Sequence, residues 1–288
     1  MRFFQPPAGM RRYFTTFYLM EASVADGERV TDYLHPEWGN LRFHSGDVPD
    51  ASVEGGMAIS GSAFAATGPS SKAVHFTIGS TRMWGMGLLP LGWAKFVGIS
   101  AASLANGVFD GSSHPAFASF EPLAASIFGN ERDIEGELAR IAAHFAARLS
   151  DPVADEARIT AIHAALIDPD AASVADIVAR AAVGQRTVER ICNRAFGFSP
   201  KLLLRRQRFM RSLMHFMLDP SLRWIGAIDG HYHDQAQFVR DFREFMGMTP
   251  REYAALDKPI LGAIVKERAR FAGAAAQALD GPAGGGKE

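Results

Sequence analysis

The sequence predicts an α+β protein of two unlike parts: a β-rich N-terminal domain with flanking helices, then an all-helical C-terminal domain. Three observations carry this: short apolar-aromatic runs broken by glycine before residue 110, one helical stripe near residue 140, and a gapless repeat in the last third. The 288 residues are 48% hydrophobic and 21% charged, an ordinary globular composition with room for one or two cores. No apolar run approaches the ~18 residues of a membrane span. Pro6-Pro7 interrupts the start before a signal-peptide core can form, so the chain is expected in the cytoplasm. The one cysteine, Cys192, excludes an internal disulfide and a thiolate zinc cluster.

In the N-terminal part, residues 13–19, 73–78 and 83–89 read as strands, separated by turn clusters at 46–49, 55–56 and 67–71. A small β-sandwich or barrel frames this half. From Asp133 to Leu149, the apolar residues Ile134, Leu138, Ile141, Phe145 and Leu149 recur at steps of 4, 3, 4 and 4, one face of an amphipathic helix. Such a face either seals a homodimer like a short coiled coil or packs on its own domain, the second being the simpler reading. A further helix over 154–167 stops before Asp168-Pro169, and residues 169–172 read as a linker.

The net charge of −1 hides an asymmetry, because residues 173–256 carry 13 Lys+Arg against 8 Asp+Glu. Between Gln185 and Arg211 there are eight basic residues and one acidic one, Glu189. A basic module therefore follows an acidic one, which suits a polyanionic partner as well as a solvated helix face.

The repeat decides between these. Gly197-Phe198-Ser199-Pro200 and Gly247-Met248-Thr249-Pro250 lie 50 residues apart, and the same offset aligns Gln185 with Gln235, Val188 with Phe238 and Arg190 with Arg240. Each copy stops one helix at a glycine and starts the next with a Ser or Thr cap and a proline. Upstream, Ser173 and Asp176 form a capping-box-like start to a helix with Val174, Ile177, Val178 and Ala181 on one face. After a turn at 182–184, a second helix over 185–196 sets Val188, Ile191, Cys192 and Phe196 inward. Its other side carries Gln185, Arg186, Glu189, Arg190 and Asn193. This is a helix-turn-helix plan, and residues 222–229, 230–232 and 233–246 repeat it.

Two such motifs joined by a basic helix over 200–218, with the string from Asp234 to Arg243 and then Gly247-Met248-Thr249-Pro250, resemble the AraC-type transcription regulators. The resemblance implies an all-helical unit over 173–256 whose two recognition helices enter successive major grooves of double-stranded DNA, roughly 34 Å apart. It places base reading on Arg186, Glu189 and Arg190 in the first helix and on Gln235, Gln237 and Arg240 in the second. Arginine suits guanine, glutamine suits adenine and Glu189 suits a cytosine amine. Gln185, Arg194, Lys201, Arg205, Arg206 and Arg243 then fall to phosphate contacts or solvated charge. The family usually has a glycine in each turn where this chain has Ala182 and His231, so Gly184 and Gly230 are expected to supply the backbone freedom from beside them.

The resemblance also implies that residues 1–168 are a cupin-like domain that binds a small-molecule effector or pairs subunits. In the tail over 257–288, a helix after Lys258-Pro259 is expected to run to about Leu279, and residues 281–288, which lack apolar anchors, are expected to be disordered. Trp38, Phe43, Trp84, Met86 and Trp93 are candidates for the ligand pocket, or else the domain's core. His35, His44 and His75 lack the H-x-H spacing of a cupin metal site, so no metal or other cofactor is expected. The chain has no phosphate loop and no nucleophile elbow. The rival reading is an N-terminal enzyme fused to a DNA-binding module, as in repair regulators that sacrifice a cysteine. Cys192, inside a recognition helix, argues against it.

Overall fold

Strand β9 (Thr81–Leu88) shows how the N-terminal half is built. Its large residues Trp84, Met86 and Leu88 face one way into a hydrophobic core, while Met83, Gly85 and Gly87 face the other. The computed structural model describes residues 1–219, 224–273 and 275–282. Among the described residues, ten strands form two antiparallel sheets. The larger has the order β1 (Arg2–Phe4), β2 (Phe14–Ala22), β9, β4 (Gly39–Gly46), β7 (Phe64–Thr67) and β10 (Val108–Asp110). The smaller has the order β3 (Val30–Leu34), β8 (Val74–Ile78), β5 (Asp50–Val53) and β6 (Ala58–Ser60). The sheets face each other as a sandwich, and the long strands of the larger one are covered on both sides.

Helices cover its outer side. Short turns at α1 (Pro90–Gly92) and α2 (Glu121–Ser126) lead to α3 (Ile134–Ala146), whose Asp133 cap accepts a hydrogen bond from Gly136 N at 2.9 Å. The stripe that could have sealed a dimer is spent on this sheet: Phe145 packs edge-on against Phe14 at 4.6 Å and Phe96 at 4.9 Å, with Ile141 fully buried. Glu137 of α3 receives both guanidinium nitrogens of Arg82 and the indole N–H of Trp84 at 2.5–2.6 Å, which fixes the helix to β9.

The C-terminal half is helical throughout: α4 (Glu156–Ile167), α5 (Val174–Ala181), α6 (Gln185–Ile191), α7 (Pro200–Leu218), α8 (Trp224–Ala227), α9 (Gln235–Met246), α10 (Pro250–Ala255) and α11 (Pro259–Ala272). Residues 169–172 do not separate two bodies, since α4 packs on α5 and one core runs from the β-sandwich into the first helix pair. The tail also departs from expectation. Helix α11 ends at the left-handed Gly273 rather than near Leu279, and it lies back across the mouth of the sandwich. The carboxylate of Asp32 on β3 caps its start, accepting from Ile260 N and Leu261 N at 2.8 Å each. Arg268 pairs with Asp280 in a buried bridge that returns the chain to the fold. Disorder was expected over 281–288; of these, residues 283–288 lie outside the described residues. Among the described residues no helix is long and apolar enough to cross a membrane.

Candidate nucleic-acid interface

The 50-residue register survives in three dimensions. The second helix of each motif begins at equivalent residues, Gln185 and Gln235, and each stops at a left-handed glycine, Gly197 (φ 86) and Gly247 (φ 71). The next helices start from Ser199 and Thr249, whose hydroxyls accept from Leu202 N at 3.4 Å and Glu252 N at 3.2 Å, with Pro200 and Pro250 following. The helix α6 continues as a π turn over Cys192–Phe196.

The two turns are made differently, and neither as expected. In the first, Gly184 is extended (φ −63, ψ 149), and Ala182 itself takes the left-handed conformation at φ 51. In the second, neither Gly230 nor His231 has positive φ. Asp229 shapes that turn, its carboxylate accepting from His231 N at 3.0 Å and its carbonyl from Tyr232 N at 3.0 Å.

On the recognition faces, Arg186, Glu189 and Arg190 of α6 are exposed, as are Gln235 and Arg240 of α9, while Gln237 is half-buried. Arg190 donates to Asp155 at 3.1 Å, and Arg194 donates to the same carboxylate oxygen at 2.9 Å. Asp155 sits just before α4 in a left-handed conformation (φ 61). Its carboxyl is held below the ordinary range, first by a hydrogen bond from Arg158 and then by Arg190 and Arg194. Glu189 accepts from Gln185 at 3.0 Å, and Gln237 accepts from His233 N at 3.2 Å. Arg186, Gln235 and Arg240 have no intramolecular partner among the described residues and are free to meet bases.

The phosphate candidates divide in the same way. Lys201 and Arg243 are exposed, but Arg205 is taken up by Asp241 and Glu244 at 2.5 Å each. Arg206 is a correction: it is fully buried, its guanidinium lies 3.9 Å from the centre of the Trp38 ring, and it donates to the carbonyls of Glu37 (3.3 Å) and Ser70 (2.9 Å). Helical phase explains the pair, because position 206 of α7 faces the β-sandwich while 205 faces α9. A groove between the motifs holds Lys201 together with Arg208 and Arg211, two basic residues that sequence reasoning left unassigned.

The ligand-pocket candidates are also corrected. Trp38, Phe43, Trp84, Met86 and Trp93 are each at most 1% exposed and all belong to the main core. The cavity of this domain lies on the opposite side of the same sheet, lined by Arg42 and His44 flanking Phe43 and by Met83 beside Trp84. Side chains alternate along a strand, so an assignment one residue out lands on the wrong face. The pattern Met83-Trp84-Gly85-Met86-Gly87-Leu88 held the signal: its glycines alternate with the core residues, and side chains from other elements fill the space over them. An added Cβ at Gly85 would meet the Tyr18 ring at 2.0 Å, and one at Gly87 the Gln277 amide oxygen at 2.5 Å. Cys192 is wholly buried, and burial pushes its thiol up to about 12, which keeps it protonated.

Residues 177–255 match a family model described as a helix-turn-helix domain. No curated protein matches the sequence. Among solved structures, ToxT from Vibrio cholerae in a P21 crystal form is 11% identical with a TM-score of 0.44, over 83% of this chain and 97% of that one. ToxT from Vibrio cholerae O395 is 11% identical with a TM-score of 0.41, over 85% of this chain and 97% of that one.

Proposed function

We propose that this chain, in which residues 177–255 are an AraC-type helix-turn-helix domain, is a sequence-specific DNA-binding transcription regulator under the control of its N-terminal domain. The supporting observation is the pair of motifs in one register, each offering unpaired base-reading side chains: Arg186 in the first, Gln235 and Arg240 in the second. Bidentate arginine and glutamine contacts carry about 1–3 kcal/mol of base discrimination each, enough for three such residues to specify a site. Glu189, Arg190 and Gln237 join them only on releasing their present partners. Gln185, Arg194, Lys201 and Arg243 serve the phosphates, while Arg205, Arg208 and Arg211 are held by Asp241, Glu244 and Asp229 and Arg206 is buried.

The N-terminal domain senses a small molecule. A homodimer through α3 is not favoured, because its apolar stripe packs on its own domain, with Ile141 and Phe145 buried and Ile134, Leu138 and Leu149 partly buried. The enzyme alternative likewise lacks a constellation: the one cysteine is buried and protonated. A cytoplasmic location follows from a DNA partner. Selection of binding sites from random duplex DNA tests the reading. Enrichment of an asymmetric site with two half-sites about one helical turn apart is expected. Recovery of no motif at low salt would overturn sequence-specific recognition.

A further inference from the structure

The two sheets do not close on each other. Between them lies a cavity of about 100 Å³, room for a guest of about one aromatic ring. Three apolar walls surround it: Met20 and Met83 from the larger sheet, Phe76 and Ile78 from β8, and Ile264 and Val265 from α11.

The charges at this wall are already matched. Arg42 reaches Glu37 at 2.5 Å and donates to Thr67 Oγ1 at 3.1 Å. Arg268 pairs with Asp280 and donates to Thr16 Oγ1 at 3.0 Å. An anionic guest would have to displace a carboxylate or go unpaired in an apolar space, and both are costly. The histidine His44 stands apart. It lies on the cavity face of β4, is 8% exposed, and neither ring nitrogen has a partner. Burial, with Arg42 adding to it, pushes its pKa down to about 3, so the ring is neutral near pH 7 and offers one donor and one acceptor.

We propose that this cavity binds a small, uncharged, largely apolar molecule that hydrogen-bonds His44, and that α11 transmits its presence to the second helix-turn-helix motif. The proposal rests on the regulator reading and names the chemistry of its effector and the route it takes. The helix α11 is at once a wall of the cavity and the continuation of α10. Between them Lys258 Nζ donates to the Tyr253 carbonyl at 2.8 Å, and the Tyr253 hydroxyl lies 2.7 Å from Nε2 of His35, another cavity residue. The same hydroxyl donates to Met217 Sδ at 3.1 Å, at the end of α7. A guest touching Ile264 and Val265 therefore binds the seated and displaced positions of α11 with different affinity, which is the requirement for shifting an equilibrium between them.

Calorimetric titration of the full chain with benzamide and with its isosteric anion, benzoate, tests the site. Saturable binding of the neutral probe is expected, tighter than the anion by at least about tenfold. Ile264→Trp fills the cavity from the α11 side and should weaken neutral-probe binding at least about tenfold, with circular dichroism melting to verify the fold. His44→Leu should weaken it about two- to tenfold, and it carries the test if the tryptophan variant does not fold. Probe saturation should change hydrogen exchange in residues 250–272. Tighter binding of benzoate, or unchanged neutral-probe binding in both folded variants, overturns the site. Binding with unaltered exchange in α10 and α11 overturns the route. Failure of the chain to bind any duplex, with the probe bound as expected, overturns the regulator reading and leaves the ligand site standing.

Discussion

The two helix-turn-helix motifs share one plan and live in different cores. In the first, Ile177, Val188, Ile191 and Phe196 belong to the same cluster as Trp38, Trp93 and Phe14 of the N-terminal domain. In the second, Phe238, Phe242 and Phe245 form a separate cluster with Phe209 and Tyr253, closed by Leu261 and Val265 of α11. Residues at the 50-residue offset follow this difference. Val188, Cys192 and Ala195 are small because the β-sandwich fills the space beside them, whereas Phe238, Phe242 and Phe245 must fill their own. The repeat thus encodes helix ends, and the residues that break it encode what each helix leans on. The first motif shares its core with the N-terminal domain, and the second closes its own core with α11.

The largest expected effect separates the motifs by acid. His163 of α4 lies buried beside Trp38 and Phe196 of the first motif's core, and His35 bonds Tyr253 of the second. Burial pushes both, and His44, down to about 3 from an ordinary 6.5. Between these values the unfolded chain binds protons that the folded chain does not, so stability rises with pH through the window and is lost as pH falls from about 6.5 toward 3. Each histidine contributes up to about 1.4 kcal/mol per pH unit, so urea denaturation should lose several kcal/mol between pH 6.5 and 5. His163→Gln and His35→Gln should each remove about a third of that slope. A slope unmoved by His163→Gln would mean that the first motif does not depend on its neutral histidine.

Next is the joint itself. Arg206→Ala removes the guanidinium stacked on Trp38 and orphans the carbonyls it serves, and burial without a carboxylate partner already pushes this group down to about 9. A loss of about 3–5 kcal/mol in chemical denaturation is expected, comparable to emptying an aromatic-sized site. Arg205→Ala, one residue away, removes a part-exposed arginine from a buried Asp241 that keeps Tyr232 and Arg208 as partners, and should lose about 1–2 kcal/mol. Equal losses would show that the first motif is not anchored through this arginine.

The sequence made the helix ends legible, because glycine, hydroxyl and proline positions are local rules that tertiary packing rarely overrides: Gly197, Ser199 and Pro200, with their partners 50 residues on, act as read. What faced what was harder to see. The glycine-punctuated apolar run identified β9 but not which of its faces was core, since both are covered. Helical phase alone separates Arg205 from Arg206. The ion pairs of Arg190 and Arg194 with Asp155 join residues some 40 apart, and nothing local announces them. The tail's role as a cavity wall depends on Asp32, more than 200 residues away, capping α11.

On DNA the comparison narrows to single arginines. Arg240 is free and Arg190 is tethered, so Arg240→Ala should lose about 1–3 kcal/mol on a selected duplex and relax one position. Arg190→Ala should lose less. Asp155→Asn keeps a residue tolerant of the left-handed backbone while removing the charge that holds Arg190 and Arg194. It should strengthen binding and steepen the salt dependence by about one or two released counterions, measured by fluorescence anisotropy across a salt series. An unchanged salt slope would mean that the two arginines do not reach phosphate when released.

The smallest effect tests the two turns. Ala182 holds φ 51 with its side chain exposed, a conformation that a Cβ disfavours by about 1–2 kcal/mol. Ala182→Gly relieves that strain but gives the unfolded chain more freedom, which takes back about 0.4–1 kcal/mol. A net gain of up to about 1 kcal/mol in thermal or urea denaturation is expected. His231→Gly relieves nothing, because the second turn is held by the Asp229 carboxylate without positive φ at 230 or 231. It should be neutral or destabilising by a few tenths of a kcal/mol. A stabilised His231→Gly beside a neutral Ala182→Gly would reverse the assignment of strain between the motifs.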